Sequence, residues 1–251
     1  MKSGRRDFLK FALLTAFAGL VSIAAILFGE PQLERFVSEI KLRGGVKVII
    51  DRVKLPSPKL KGELSVEEAI ARRRSRRDYL NEPIKLEELS NLLWAAQGIT
   101  EPVNKFRTAP SAGATYPLEV YVVIRKGGVE ELSEGLYHYN LYEHVLEKYI
   151  EGDLSEELSS AAVSQEWVRK ASINIILTAI YERTTERYGE RGKQYVHMEV
   201  GHVGENIYLQ AESLELGAVV IGAFYDDWIQ RLLKLPGKEK PLYIISVGRP
   251  I

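Results

Sequence analysis

Apolar residues recur with two different periods after residue 64, and these periods predict a mixture of helices and strands. A first helix is predicted over residues 65–77, because Ser65 and Glu68 have the spacing of a capping box. Its inward positions follow the i, i+3, i+4, i+7 pattern and are Val66, Ala69, Ile70 and Arg73. A second helical stripe ends at Gly98, and glycine is common just beyond a helix.

Strand patterns dominate the middle of the chain. The apolar runs 118–125 and 173–180 are typical of buried strands, and the alternating segment 135–150 predicts a hairpin that turns near Asn140. The other predicted elements are a loop over 103–117, helices near 155–164 and 195–216, a helix capped by Asp226, and strands over 219–221 and 242–247. Hairpins mixed with helices favour an α+β layer architecture.

The first 62 residues follow a different pattern. Arg5 and Arg6 precede an uncharged apolar stretch over residues 11–29, the layout of an export signal or a membrane anchor. The run Arg-Arg-x-Phe-Leu-Lys is similar to a twin-arginine signal. A helix over residues 11–28 would be about 27 Å long, close to the bilayer hydrocarbon thickness of about 30 Å.

We therefore predict a leader over residues 1–29, a linker over 30–62 and a globular domain over 63–251. An uncleaved membrane anchor is favoured over a cleaved signal, because no good cleavage pattern follows the apolar stretch. The linker contains one candidate strand, over residues 46–50. In either case the domain would lie on the extracytoplasmic side of the membrane.

Composition and charge exclude several classes of partner and site. The 34 Lys and Arg residues balance 34 Asp and Glu residues, so no overall field attracts nucleic acid, and no nucleic-acid partner is predicted. The absence of cysteine excludes disulfides, thiolate nucleophiles and cysteine-based metal sites. His197 and His202 are five residues apart and do not share a helix face, so no metal site is predicted.

Five arginines lie within residues 72–77, and their bidentate donors suit a phosphate group. Arg73 continues the inward stripe of the predicted helix, where an arginine needs an anion or a carboxylate. The alternative is that arginines at a helix C-terminus only offset the helix dipole. We favour that alternative for Arg72 and Arg76, and anion binding for Arg73.

Three further segments offer candidate binding groups. Small residues in the loop 107–117 would let its backbone approach a flat ligand, although a purely structural turn fits equally well. Gly222 and Ala223 expose backbone N–H groups between a strand and a helix, or simply form the connecting turn. Arg249 follows the last strand and is either a ligand or a surface charge.

The order of these segments resembles a known family. An Arg-Arg-Ser-x-Arg segment, a Pro-Ser-Ala-Gly-Ala-Thr-Tyr-Pro loop, a Gly-His-x-x-x-Asn helix, a Gly-Ala-Phe turn and a terminal Gly-Arg-Pro occur together. Over residues 55–251 the chain is similar to the nitroreductase-type flavoprotein superfamily, and within it to SagB/ThcOx-type dehydrogenases. The resemblance implies a three-layer α+β fold with a mainly antiparallel central sheet flanked by helices, and a homodimer that binds FMN non-covalently at its interface.

The resemblance also implies roles for individual residues. The FMN phosphate would be held by Arg73, Arg74, Ser75, Arg77 and Arg249. The loop that reaches the flavin from the other protomer would contain Pro110, Ser111, Ala112 and Gly113. Backbone donors near flavin N5 would come from Gly222 and Ala223.

The substrate side is less defined. Azoline-oxidising members of the family carry a Lys-Tyr pair, whereas this chain has Arg187 and Tyr188 at the corresponding place. Arginine stays protonated and is a poor base, which argues against azoline oxidation. Tyr188 and Lys193 are therefore the candidate acid–base residues, with Tyr195 as a nearby alternative.

The resemblance implies an FMN-dependent oxidoreductase that transfers hydride between flavin N5 and an unknown small-molecule or peptide substrate. One alternative is an NAD(P)H-dependent reductase of nitroaromatics or quinones. Another is a non-catalytic, flavin-binding accessory protein of the cell envelope. The N-terminal segment would place any of them at a membrane or beyond it.

Overall fold

A seven-stranded antiparallel sheet is the centre of residues 48–251, the part of the chain that this computed structural model describes. In chain order the strands are β1 (Asp51–Lys54), β2 (Ile99–Glu101), β3 (Phe106–Arg107), β4 (Leu118–Ile124), β5 (Gly135–Asn140), β6 (Val145–Glu151), β7 (Ile173–Ile180), β8 (Gly217–Ile221) and β9 (Glu239–Gly248). The order across the sheet is β1-β6-β5-β4-β7-β9-β8, and β2 pairs separately with β3.

Helices cover both faces of the sheet. They are α1 (Val66–Arg72), α2 (Leu86–Gln97), α3 (Ser155–Ala161), α4 (Glu166–Lys170), α5 (Glu182–Tyr188), α6 (Arg191–Ser213) and α7 (Asp226–Leu232). On β4, Val122 packs into a core shared with α2 and α6, while Val123 packs into a core shared with α3, α4 and α7. Successive strand residues point to opposite faces, so each inner strand supplies both cores. The predicted α+β fold with an antiparallel central sheet is confirmed.

Helix α1 ends earlier than the sequence predicts. The capping box of Ser65 and Glu68 is present, but the helix stops at Arg72, and Arg73 has non-helical backbone angles, φ −48° and ψ 123°. The predicted inward stripe is wrong at Val66 and Ile70, which are 65% and 57% exposed. The helix does not continue because the backbone of residues 75 and 76 pairs with an edge strand.

Residues 75 and 76 lie against β8, the strand at one edge of the sheet. Ser75 forms a parallel bridge with Ala218, and the Arg76 backbone N–H donates to the Ala218 carbonyl at 2.9 Å. An edge strand has unpaired backbone N–H and C=O groups. Pairing with them satisfies backbone groups of residues 75 and 76 that would otherwise be hydrogen-bonded within a helix. This pairing places residues 75 and 76 at the edge of the sheet.

The segment predicted as a linker also contributes to the fold. Strand β1 pairs with β6, and Leu55, only 3% exposed, lies in the core. The strand begins at Asp51 rather than within residues 46–50, and Arg52 contacts the Glu147 carboxylate on β6 at 2.8 Å. The predicted leader and its twin-arginine pattern lie outside the described residues. Within residues 48–251, no helix has the length and apolar character needed to span a membrane.

Candidate functional site

The middle of the arginine run is tied to the long helix α6. Ser75 Oγ lies 2.9 Å from Tyr208 Oη, and the Val220 backbone N–H donates to the same phenol oxygen at 2.8 Å. Tyr208 therefore joins three elements, namely α6, β8 and the extended run. This contact fixes where Ser75 and its neighbours lie relative to the sheet.

Arg73 is an arginine of the run whose donors are largely uncommitted among the described residues. Its guanidinium lies over the Tyr208 ring, 5.2 Å from the ring centroid, and the side chain is 33% exposed. Its Nε atom is 3.9 Å from Glu205 Oε1, which is too long for a hydrogen bond. Among the described residues this is its one ion pair, so most of its N–H groups remain available to an anion.

The other predicted phosphate ligands do not converge on the same point. Arg74 Nη1 donates to the carbonyls of Ala71 and Arg73 at 3.1 and 2.7 Å. The Arg77 guanidinium lies over the ring of Trp167 in α4, 5.4 Å from its centroid. The structure thus brings Arg73 and Ser75 together at Tyr208 and directs Arg77 toward a different helix.

Arg249 has a carboxylate partner within the chain. Its Nη2 atom lies 2.9 and 2.8 Å from the two oxygens of Glu88, near the start of α2. The Arg249 side chain is mostly buried, and so is Glu88. This pair ties the end of β9 to α2, and it does not involve the arginine run.

The loop predicted to face the flavin lies against Tyr188. Gly113 has φ 59° and ψ 23°, a left-handed conformation that favours glycine. A Cβ at this residue would lie 2.5 Å from Tyr188 Oη, and Arg187 Nη1 donates to the Gly113 carbonyl at 3.2 Å. Tyr188 in turn makes an edge-on contact with Tyr195, with ring centroids 5.2 Å apart. Tyr188 therefore supports the loop.

Lys193, the second predicted acid–base residue, lies at the surface in the first turn of α6. Its Nζ atom is 2.8 Å from Glu190 Oε2, and both side chains are exposed. Surface ion pairs of this kind contribute little, typically about 0–1 kcal/mol. The structure gives Lys193 a solvent-exposed partner and no contact with Tyr188.

The turn after β8 lies at the surface. Gly222 and Ala223 are both exposed, and Gln165 Nε2 donates to the Ala223 carbonyl at 3.0 Å. The sequence predicts that Asp226 caps the following helix, but the structure shows a different capping residue. Tyr225 is the capping residue, and Asp226 is the first residue of α7.

A hydrogen-bonded pair that the sequence pattern does not reveal lies nearby. Tyr181 follows β7, and its Oη atom lies 2.6 Å from Nε2 of His197 on α6, with the rings edge-on at 88°. Burial raises the pKa of the Tyr181 phenol, and the negative charge of Asp226 raises it further. No periodicity marks Tyr181, because it lies between a strand and a short helix.

A buried carboxyl lies in the middle of α6. Glu199 is 2% exposed, and burial raises the pKa of its carboxyl from 4.5 to about 7. Ser111 and Gln97 lie beside it, and the charge of Arg107 partly offsets the effect of burial. Gln97 Nε2 and Glu199 Oε1 are buried and have no hydrogen-bond partner within residues 48–251.

Two cavities border α6 on the side of α1 and α2. The smaller measures 410 Å³ and the larger 660 Å³, and Trp94 lines both. None of the predicted cofactor-binding residues lines either cavity. Those residues lie on open surface or in loops instead. Within residues 48–251, no group of three or more His, Asp or Glu side chains is placed to hold a metal ion.

Comparison with known proteins gives a consistent family match. Residues 70–249 match the model of the nitroreductase family. The chain is 48% identical over 189 residues to a protein of Methanocaldococcus jannaschii that is provisionally named a nitroreductase, covering 75% of this chain and 93% of the relative. A crystal structure from Ralstonia eutropha, also provisionally named a nitroreductase, has a TM-score of 0.70 and 28% identity, covering 83% of this chain and 92% of that chain.

A more distant relative has a defined biological setting. The microcin B17-processing protein McbC of Escherichia coli is 24% identical over 169 residues. The match covers 66% of this chain and 62% of McbC, so this chain spans less than two thirds of that relative's length.

Proposed function

The chain belongs to the nitroreductase family of flavin oxidoreductases, and from this premise we propose that it is an FMN-dependent dehydrogenase of SagB/ThcOx type. The similarity to McbC, a protein named for microcin processing, supports the dehydrogenase type. The observation that carries FMN binding is the Arg73 guanidinium, which is half-buried over Tyr208 with most donors uncommitted. A dianionic phosphate is the partner that suits such donors.

Two of the predicted phosphate ligands, Arg73 and Ser75, support FMN binding because both lie at Tyr208. Arg73 and Ser75 would hold the phosphate from one side, with Arg74 and Arg77 close by in the chain. Arg74 donates to backbone carbonyls and Arg77 packs on Trp167, so both would need to reorient their side chains. Arg249 would have to leave Glu88 to join them, and for this reason we place it outside the phosphate site.

The flavin ring would lie near two backbone segments. Gly222 and Ala223 are exposed and can offer N–H groups to a ring that gains negative charge. When bound, FMN would supply the chemistry of accepting or donating a hydride. The protein would orient the ring, exclude water from it and hold a substrate against it. Pro110, Ser111, Ala112 and Gly113 would reach the ring of the partner protomer.

A homodimer would use the open face of α6. Met198 is 52% exposed, and a Cβ at Gly201 would meet no described atom within 4 Å. Gly204 does not belong to this face, because a Cβ there would pack 3.5 Å from the Tyr243 ring. An exposed methionine beside an open glycine suits close approach of a second helix.

A second candidate function is NAD(P)H-dependent reduction of nitroaromatics or quinones. The M. jannaschii relative, 48% identical and provisionally named a nitroreductase, favours it. Anaerobic mixing of the FMN-loaded protein with NADH and NADPH separates the two candidates. Rapid bleaching of the flavin would favour the reductase, whereas bleaching only by an organic substrate would favour the dehydrogenase.

We also propose that the protein is exported or membrane-anchored. Arg5 and Arg6 ahead of the apolar stretch support this proposal. Fractionation of cells, with the mass of the mature chain, tests both the location and the fate of the leader. Recovery of the full-length chain in the soluble cytoplasmic fraction would contradict it.

Arg73→Ala tests the phosphate site, and Arg72→Ala is the matched control. Arg72 is a neighbouring exposed arginine whose one ion pair within residues 48–251 is with Glu68, at 3.5 Å. Loss of a charged hydrogen bond weakens binding by on the order of 1.5–3 kcal/mol. We therefore expect the Kd for FMN, measured by quenching of flavin fluorescence, to rise about 10- to 150-fold in Arg73→Ala only. A purified protein that is colourless and binds no added FMN would contradict the proposed function.

A further inference from the structure

A ring of polar side chains joins the loop over residues 107–117 to helices α2 and α6. Arg107 Nη1 donates to Gln97 Oε1 at 2.8 Å, and the Arg107 guanidinium lies over the Tyr116 ring, 4.2 Å from its centroid. The Tyr116 backbone N–H donates to Ser111 Oγ at 2.9 Å. Ser111 and Gln97 both lie beside the Glu199 carboxyl, so the polar ring closes on α6.

The loop held by this polar ring has a strained backbone. Ala114 and Tyr116 have φ angles of 54° and 46°, in the left-handed region that residues with a Cβ rarely adopt. Such a conformation persists only where the surrounding contacts hold it in place. The contacts of Tyr116 with Ser111 and Arg107 do this. The shape of the loop therefore depends on the polar ring.

Glu199 is the buried carboxyl of the polar ring. It is 2% exposed, and its Oε1 and the Nε2 of Gln97 have no hydrogen-bond partner within residues 48–251. A neutral carboxyl has one donor and one acceptor, which suits the amide of Gln97 and the hydroxyl of Ser111. An ionised carboxylate could accept from both neighbours, but these neutral groups offset only part of the cost of burying a charge.

The charged and titratable groups around Glu199 come from three elements. Arg107 of the loop attracts the ionised carboxylate and partly offsets the effect of burial. On α6 itself, Tyr195 and His202 lie one turn away, and His202 is exposed. Arg187 of α5 donates to the loop backbone at 3.2 Å. Burial outweighs the attraction of Arg107, so the neutral form of Glu199 is the favoured one in the closed loop.

We propose that Glu199 is a positioning residue whose neutral carboxyl holds the loop over residues 107–117 closed and whose ionisation releases it. The proposal rests on the proposed FMN-dependent function in one respect, namely that the closed loop covers the flavin of the partner protomer. Closure of the loop itself is a property of the FMN-free protein as well. A rise in pH would therefore open the loop and speed the release of FMN.

The direction of the pH effect follows from burial. In the closed loop burial raises the pKa of Glu199 from 4.5 to about 7, whereas an open loop admits water and lets the pKa return toward 4.5. The closed loop therefore binds the proton more tightly than the open loop. Its stabilisation is complete below about pH 4.5 and is lost as the pH rises through 7.

The first test uses the FMN-free protein and needs no activity. Hydrogen exchange of the Tyr116 amide requires the loop to open, because this N–H donates to Ser111. Exchange is compared between wild type and Glu199→Gln at the same pH, over a range from about pH 4.5 to about pH 8. We expect similar rates at pH 4.5 and faster exchange in wild type, by up to about 300-fold, at pH 8.

Matched controls separate opening of the loop from unfolding of the whole domain. The Val122 amide in the central strand β4 exchanges on global unfolding, so Tyr116 should exchange faster than Val122 at every pH. Glu186→Gln, at an exposed glutamate of α5, should behave as wild type. Ser111→Ala should give rapid Tyr116 exchange at every pH, because the acceptor is lost. Equal exchange of Tyr116 and Val122, or a wild-type-to-Glu199→Gln ratio that is constant with pH, would overturn the proposal.

The second test measures release of FMN from the loaded protein. Release after dilution is followed by the return of flavin fluorescence at about pH 6 and about pH 8. The closed loop must open before FMN leaves, so the release rate follows the open fraction. The two pKa values of Glu199 give an increase of about tenfold in wild type over this range and none in Glu199→Gln. The FMN phosphate, with a pKa of about 6, titrates equally in both proteins, so the ratio of their rates removes its contribution.

The outcomes separate this proposal from the proposed function. If the wild-type protein binds no FMN, the proposed function fails, and Tyr116 exchange still decides whether Glu199 holds the loop. If FMN binds and Tyr116 exchange is the same in wild type and Glu199→Gln, the positioning role is wrong while the proposed function stands. If exchange changes with pH as expected but FMN release does not, the loop does not close over the flavin.

Discussion

Replacing Glu199 by glutamine should make the protein more stable at alkaline pH. The Glu199 carboxyl is 2% exposed, its Oε1 has no hydrogen-bond partner among the described residues, and burial raises its pKa from 4.5 to about 7. The folded state therefore binds this proton more tightly than the unfolded state. The stabilisation is complete below about pH 4.5 and is lost as the pH rises through 7, because the folded protein must then hold a buried charge.

The magnitude follows from the two pKa values. A difference of one unit between the folded-state and unfolded-state pKa corresponds to about 1.36 kcal/mol, so a pKa difference of about 2.5 units corresponds to about 3 kcal/mol. Glutamine has nearly the same shape as the protonated carboxyl and carries no charge at any pH. We expect Glu199→Gln to match wild type at about pH 4.5 and to exceed its free energy of unfolding by up to about 3 kcal/mol at pH 8.

Urea unfolding of both proteins at a series of pH values between about 4.5 and 9 measures this difference. Glu186→Gln is the matched control, because Glu186 is an exposed glutamate on the adjacent helix α5. The control should show no pH-dependent gain. A constant difference between Glu199→Gln and wild type, or a difference that grows as the pH falls, would refute the reasoning.

Two further predictions concern charged pairs. Burial opposes ionisation of Glu119, but the His138 and Arg183 contacts lower its pKa to about 2, so its stabilisation is present above pH 4.5 and lost as the pH falls. Glu119→Gln should therefore cost about 3 kcal/mol in urea unfolding at pH 7 and about 1.4 kcal/mol near pH 3, one unit above the folded-state pKa of about 2. An equal loss at both pH values would contradict this. Arg249→Ala should cost about 1–3 kcal/mol in urea unfolding, because it leaves Glu88 unpaired, without weakening FMN binding. A loss of FMN affinity equal to that of Arg73→Ala would instead make Arg249 a cofactor ligand.

Several parts of the candidate site could be predicted because their signals are local. The small residues of the loop at Gly113 and the open turn at Gly222 are visible in the chain itself, and the structure shows both features. The arginine run is equally visible. Its division into Arg73 on one side and Arg77 on another could not be predicted, since it depends on Tyr208 and Trp167, which are distant in the chain.

Two missed features share one physical cause. The Tyr181–His197 and Arg249–Glu88 pairs each join residues from different elements, 16 and 161 positions apart. Hydrophobic periodicity reports which side of an element is buried, but it carries no information about which polar side chains meet. Helix α5 was missed for a related reason, because its sequence has no apolar stripe.

The amino-acid sequence by itself determined the elements whose stability is local. The continuous apolar runs became the central strands β4 and β7, and the Ser65–Glu68 spacing became a capping box. Tertiary structure decided where α1 stops, because the free backbone of edge strand β8 pairs with residues 75 and 76. It also decided that β1 joins the sheet. Hydrogen bonds between residues a few positions apart can be predicted from the sequence. Pairing with a distant sheet edge cannot, because it exists only once the sheet has formed.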